Sequence, residues 1–232
     1  MNTLKFALAA GLALVFSFAA LAGVSAPASL ENYYLNPRPA ELPRIMRTLG
    51  QQGYLEKPEQ AAIAIGFLGA LFAQNPERVD GWLLEFNGLP PAQHRLVAAA
   101  LWQAGNPLGA DMLRHLSGST HPANDAVARL ADTASEDIAH TPVLSPSSMN
   151  LQWGAFLATG NERYIINILA AIGTDRPGLD SAARYALAQD AAAHPRVFEI
   201  CRAQLDRQPD ESRALLRAAL NEAAAQTGRP NI

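Results

Sequence analysis

Five histidines, one cysteine and a scatter of carboxylates are the side chains on which any reaction of this 232-residue chain would have to be built. His94, His115, His121, His140 and His194 fall without the spacing that lets two imidazoles share a metal ion. The chain has no H-E-x-x-H, no paired C-x-x-C, no phosphate-binding loop, no G-x-S-x-G elbow and no strand-borne dinucleotide glycine motif. Asp111 and His115 lie one helical turn apart, the spacing at which a carboxylate orients an imidazole as a base, and equally that of a charge pair on a solvated face, which we expect here. His94 and Gln152 fall on otherwise apolar helix faces, where a hydrogen-bonded place at the rim of the core is expected. Cys201, in PRVFEICRAQL, shares one helical face with Val197, Ile200 and Leu205, and so is expected as a small buried hydrophobe. As the sole cysteine it has no intramolecular disulfide partner. No catalytic residue, metal ligand or cofactor site is expected.

Recognition is the alternative chemistry. Trp82, Trp102 and Trp153, with Arg163 and Tyr164 after a turn, are of the types enriched at binding hot spots. Their phase points inward: Trp82 and Trp153 fall on apolar faces, and Trp102 closes an apolar run from Val97. Arg163 is the expected exposed contact. If a partner is bound, Arg163, Tyr164, Trp102, Trp153 and His94 are the residues expected to touch it.

The elements that position these side chains are punctuated in a common frame. PAELPRIMRTLGQQG, PAQHRLVAAALWQAG and PSSMNLQWGAFLATG each run from a proline to a glycine fourteen residues later, at Gly53, Gly105 and Gly160. Proline suits a first helical turn and glycine the left-handed position past the last, so each stretch predicts a helix. Apolar residues recur on one face, as in Leu42, Ile45, Met46 and Leu49, or Met149, Trp153 and Phe156. Asn106 and Asn161 follow their glycines as N-caps of return helices, so the units predict helix hairpins. The glycines lie 52 and 55 residues apart, a degenerate repeat of about fifty residues.

Between the first two units, AAIAIGFLGALFA from Ala61 to Ala73 carries no polar side chain and predicts a helix enclosed by others. Gly66 and Gly69 within it predict close approach of a neighbouring helix. Further helices are expected after Asn75-Pro76, from Pro107 to about Leu116, over DAVARLADTA, from Glu162 to Thr174, and at about 181–193, 195–207 and 209–226. No stretch alternates as a strand does, so the fold class is all-α, with antiparallel helix hairpins stacked as a short, irregular α-solenoid or an orthogonal helical array. The expected division is a signal peptide at 1–28, an N-terminal helical half at 29–118, a linker with one short helix at 119–147 and a C-terminal helical half at 148–232.

Apolar content of 49 % supports a buried core, and a pI near 5.9 gives no basic field for nucleic acid. Met1 to Lys5 is weakly positive, Phe6 to Ala22 is apolar or small, and small residues follow, as in a secretory signal. Both Ala20-Leu21-Ala22 and Ala26-Pro27-Ala28 satisfy the small-x-small rule, and the cut is expected after Ala28, with Gly23 as the second choice of first mature residue. The expected location is periplasmic or secreted; an uncleaved segment would instead anchor the chain in the inner membrane.

The paired-helix units with glycine turns resemble the helical-repeat class that includes tetratricopeptide and HEAT-like solenoids. The tetratricopeptide pattern of Trp, Leu-Gly and Tyr at a 34-residue period is not met, so the resemblance implies an architecture and transfers no binding residue. WGAFLATGNERYI also looks like segments of exported bacterial helical proteins without assigned activity. The function expected is that of an exported α-helical scaffold binding a protein or peptide partner without catalysis. The alternatives are an enzyme with a site in the groove between helices, and a membrane-tethered structural subunit.

Overall fold

The computed structural model describes residues 26–117, 131–133, 135, 137–176 and 178–232. These form eleven α-helices and no strand. In chain order they are α1 (Ala28–Glu31), α2 (Leu42–Gln51), α3 (Pro58–Gln74), α4 (Val79–Phe86), α5 (Pro91–Gln103), α6 (Pro107–Ser117), α7 (Pro146–Thr159), α8 (Glu162–Leu169), α9 (Leu179–Ala193), α10 (Pro195–Gln204) and α11 (Asp210–Thr227). Most of DAVARLADTA lies outside the described residues.

The proline-to-glycine stretches fold as their punctuation requires. Gly53, Gly105 and Gly160 all have φ between +66° and +71°, the left-handed stop that a side chain resists. Ser145 and Ser148 close a reciprocal capping box at the head of α7, and the Asn161 side chain accepts from Arg163 N–H at the head of α8. Asn106 Oδ1 accepts from Leu108 N–H at 3.0 Å, capping α6. Leu42, Ile45, Met46 and Leu49 on α2 and Met149, Gln152, Trp153 and Phe156 on α7 are all buried.

The return helix α8 ends at Leu169 rather than continuing to Thr174. Ala171 and Ile172 donate to Ile168 and Leu169, three residues back, which tightens the chain out of the α-helix, and Gly173 N–H donates to Asp180 Oδ1 at 2.8 Å. The sequence pattern carries through because Ile172 stays buried in this tightened turn.

The centre of the molecule is the crossing of α3 and α7. Gly66 lies against the carbonyl of Leu151, and Gly154 against the carbonyl of Ile63, each so near that a Cβ would overlap backbone. The two glycines thus let the backbones touch, which explains a Gly in each helix despite its cost of about 1 kcal/mol in helix propensity. Around this crossing one cluster of buried side chains extends from Ala26 to Ala224, taking in residues from both expected halves. A small satellite of Ala98, Leu113 and Ala131 lies at the α5–α6 hairpin.

Before α2, the lead-in is also part of the core. Leu30 is fully buried, the Tyr33 ring meets Phe67 edge-on at 4.9 Å, and the Tyr34 ring lies 5.1 Å from Phe156. The two tyrosines therefore pack on α3 and α7. Among the described residues no helix is long and apolar enough to cross a membrane.

Candidate interaction surface

The residues singled out for recognition are held by contacts inside the molecule. Trp153 is 5 % exposed, stacked on Phe156 at 5.4 Å and edge-on to His194 at 5.2 Å. Tyr164 is buried on α8, and burial, with Asp137 nearby, raises its phenol pKa. Trp102 is half-buried against the α5–α6 satellite and donates its indole N–H to the Thr133 carbonyl at 3.2 Å. His94 is half-buried, with Nε2 2.9 Å from the Phe86 carbonyl; a carbonyl only accepts, so this nitrogen carries the ring proton. Arg163 is exposed, and its Nε donates to the Ala139 carbonyl at 3.2 Å. These side chains are held by different parts of the fold, Arg163 and Tyr164 being adjacent on α8.

Arg163 belongs to a polar clamp. Gln152, 1 % exposed, donates its amide to the carbonyls of Ile138 and Thr141 at 2.7 and 2.8 Å, and its Oε1 accepts from Asn167 Nδ2 at 3.2 Å. Asn167 also donates to the Ala139 carbonyl at 2.9 Å. The turn at Ile138–His140 is thereby tied to α7 and α8, with Ile138 buried beside Gly69. A buried amide must be satisfied, and here it is satisfied by loop carbonyls, of which that of Ile138 also accepts from Thr141 N–H. Asn167 carries no sequence signal for this role, because it takes shape only once the loop lies across α8.

Some of the side chains able to do acid–base work are engaged within the fold. Asp111 pairs with Arg114 at 2.9 Å rather than with His115. Among the described residues no group of His, Cys, Asp and Glu is arranged to hold a metal ion. Cys201 is fully buried, and burial pushes its thiol up to about 12, with Asp190 adding to it. Burial lowers the His194 pKa and pushes Asp190 up to about 8, with the charge of Glu31 adding to the latter.

Two surface hollows lie on the lead-in, α2 and α4. A cleft of about 330 Å³ runs between the lead-in and α2, floored by Tyr33 and Ile45 and rimmed by Leu35, Arg38, Glu41 and Arg44. Leu35 is 66 % exposed. A second hollow of about 300 Å³ is bounded by Asp80, Leu83, Leu84 and Asn87, with Leu84 72 % exposed. The two helices contact each other, and Arg47 of α2 faces Glu85 of α4 at 4.0 Å.

No family model, curated protein or solved structure matches the chain. Function has therefore to be read from the surface itself. Around the first cleft Arg38 and Arg44 both bond Glu41, which holds that carboxyl below its usual range and leaves the trio one net positive charge. The first hollow thus combines an apolar floor, an exposed leucine and two arginines on its rim, and the second presents the exposed Leu84. The signal in the sequence was slight: Leu35 follows two tyrosines, and Leu84 follows Leu83 off the buried face of α4.

Proposed function

We propose that the chain is an exported α-helical interaction protein, working without catalysis, whose lead-in, α2 and α4 take a protein or peptide partner. The carrying observation is the pair of exposed leucines, Leu35 and Leu84, each beside a hollow on adjoining elements. Large exposed apolar side chains are what a partner's anchors use, with Arg38 and Arg44 on the same cleft as Leu35, whereas Trp82, Trp153 and Tyr164 are buried and Trp102 is half-buried against the α5–α6 satellite. In this reading Arg163 is a clamp residue first and a contact second. The apolar run before Gly23 directs export to the periplasm or beyond, and the stacked hairpins form a short helical-repeat array of the tetratricopeptide or HEAT-like kind.

The test is site-specific photocrosslinking in the native envelope. A photoreactive residue at Leu35 or Leu84 should give a discrete crosslinked species, and one at Tyr185, 44 % exposed on α9, should not. Absence of a product at both leucines, or an equal product at Tyr185, would overturn the assignment of this surface.

A further inference from the structure

Glycines inside the helices of this chain sit where another segment comes close. Gly50, Gly66, Gly69, Gly109 and Gly154 each lie so near another part of the chain that an added Cβ would come within 3.3 Å of it. Glycine weakens a helix relative to alanine, and close packing accounts for it at those positions. Gly81, one turn before Leu84 on α4, is different. It is exposed, and a Cβ there would meet nothing within 4 Å among the described residues.

Charge on the same surface is divided. At the second hollow the Asp80 carboxylate has no ion-pair partner among the described residues, while Glu77 and Glu85 are paired with Arg78 at 3.6 Å and Arg47 at 4.0 Å. At the first cleft Arg38 and Arg44 share one carboxylate, Glu41, so donors remain on both guanidiniums. Two hollows of about 330 and 300 Å³, each with an exposed leucine, thus carry opposite excess charge on adjoining elements. A surface that holds both halves of a complementary pair can bind its own copy about a two-fold axis, where residue i meets j and j meets i.

Resting on the interaction surface assigned above, we propose that its partner is a second copy of this chain, in a two-fold dimer. Leu35 of each protomer is seated in the hollow beside Leu84 of the other, and Arg38 and Arg44 are set against the other protomer's Asp80. Gly81 lets the incoming lead-in approach the backbone of α4. Hollows of this size make a reversible dimer that dissociates on dilution rather than an obligate one.

Sedimentation velocity of the chain recovered from its native envelope, run over a range of concentrations, is expected to show monomer passing to dimer. Monomer even at about 100 μM, where a specific interface of ordinary affinity is occupied, would overturn the dimer. Arg44→Glu and Asp80→Arg should each weaken it at least about tenfold by bringing like charges together. Combined, they restore opposite charges and should recover most of the loss; singles without effect, or a double no better than either, would contradict the arrangement. Gly81→Leu should weaken the dimer by as much while the monomer melts no lower, because nothing in the monomer meets the new side chain. An unchanged dimer would show that α4 is not in the contact. Photocrosslinking from Leu35 keeps this inference apart from the reading beneath it. A product of twice the chain's mass supports it, and a product with a different protein would overturn it while leaving the surface assignment intact. No product from either leucine would overturn both.

Discussion

Trp153 shows how far a residue's type can mislead when its phase is ignored. An exposed tryptophan beside a turn and an arginine has the composition of a hot spot, but this ring lies between Phe156 and His194. Its removal should leave a cavity, so Trp153→Ala is expected to destabilise by about 3–5 kcal/mol, read in thermal melts; an unchanged melt would return the residue to the surface. Asp190 gives a prediction of a different kind. The folded chain holds this proton up to about pH 8, whereas the unfolded chain releases it near 3.8. The folded state therefore binds more protons across that window, and its contribution to stability is lost as pH rises through it. His194 acts oppositely, because its lowered pKa makes stability fall as pH drops below 6.5. Asp190→Asn, facing Glu31 and Cys201, should match the wild type only below about pH 3.8 and exceed it by an amount that grows to a few kcal/mol at pH 9, on the order the shift implies, in denaturant titrations across that range. Inward phase was legible in the sequence at Trp82, Trp153 and Cys201. The roles of Asn167 and Asp190 were not, since each depends on a segment distant in sequence being laid across its helix.

At the scale of elements, the left-handed glycines are alike in φ but differ in surroundings. A Cβ on Gly105 would meet Ser135 Oγ at 3.5 Å, an ordinary contact, whereas one on Gly160 would meet Tyr34 Cδ2 at 2.9 Å. Gly105→Ala should cost about 1 kcal/mol through backbone strain, and Gly160→Ala about 2 kcal/mol because the Tyr34 ring must also give way. Denaturant titration of the two variants checks the order; equal losses would mean that Tyr34 does not cover the turn. Helix ends marked by Pro, Gly and Asn were legible, because capping is local chemistry. The early end of α8 was not legible: the chain tightens through Ala171 and Ile172, Gly173 turns left-handed, and its N–H is taken by Asp180, seven residues on. The exposed surface on α2 and α4 was legible only as the residues left over once the buried faces were counted.

At the scale of the molecule, an all-α fold followed from periodicity, and Gly66 followed from its cost within a helix. Gly154 escaped notice because WGAFLATG reads as an apolar run with a stop signal, and only the meeting of α3 with α7 reveals why a side chain is missing there. That meeting joins the two halves in one core, so the surface on the lead-in, α2 and α4 is presented by a body whose stability is shared. Scanning calorimetry of the mature chain, alone and with Gly154→Ala, tests this most directly. Overlap with the Ile63 carbonyl leaves no soft neighbour to yield, so the substitution should cost about 3 kcal/mol. The account predicts a single transition, with equal calorimetric and van't Hoff enthalpies, displaced as a whole by the substitution. Two transitions, of which Gly154→Ala moves only one, would contradict it.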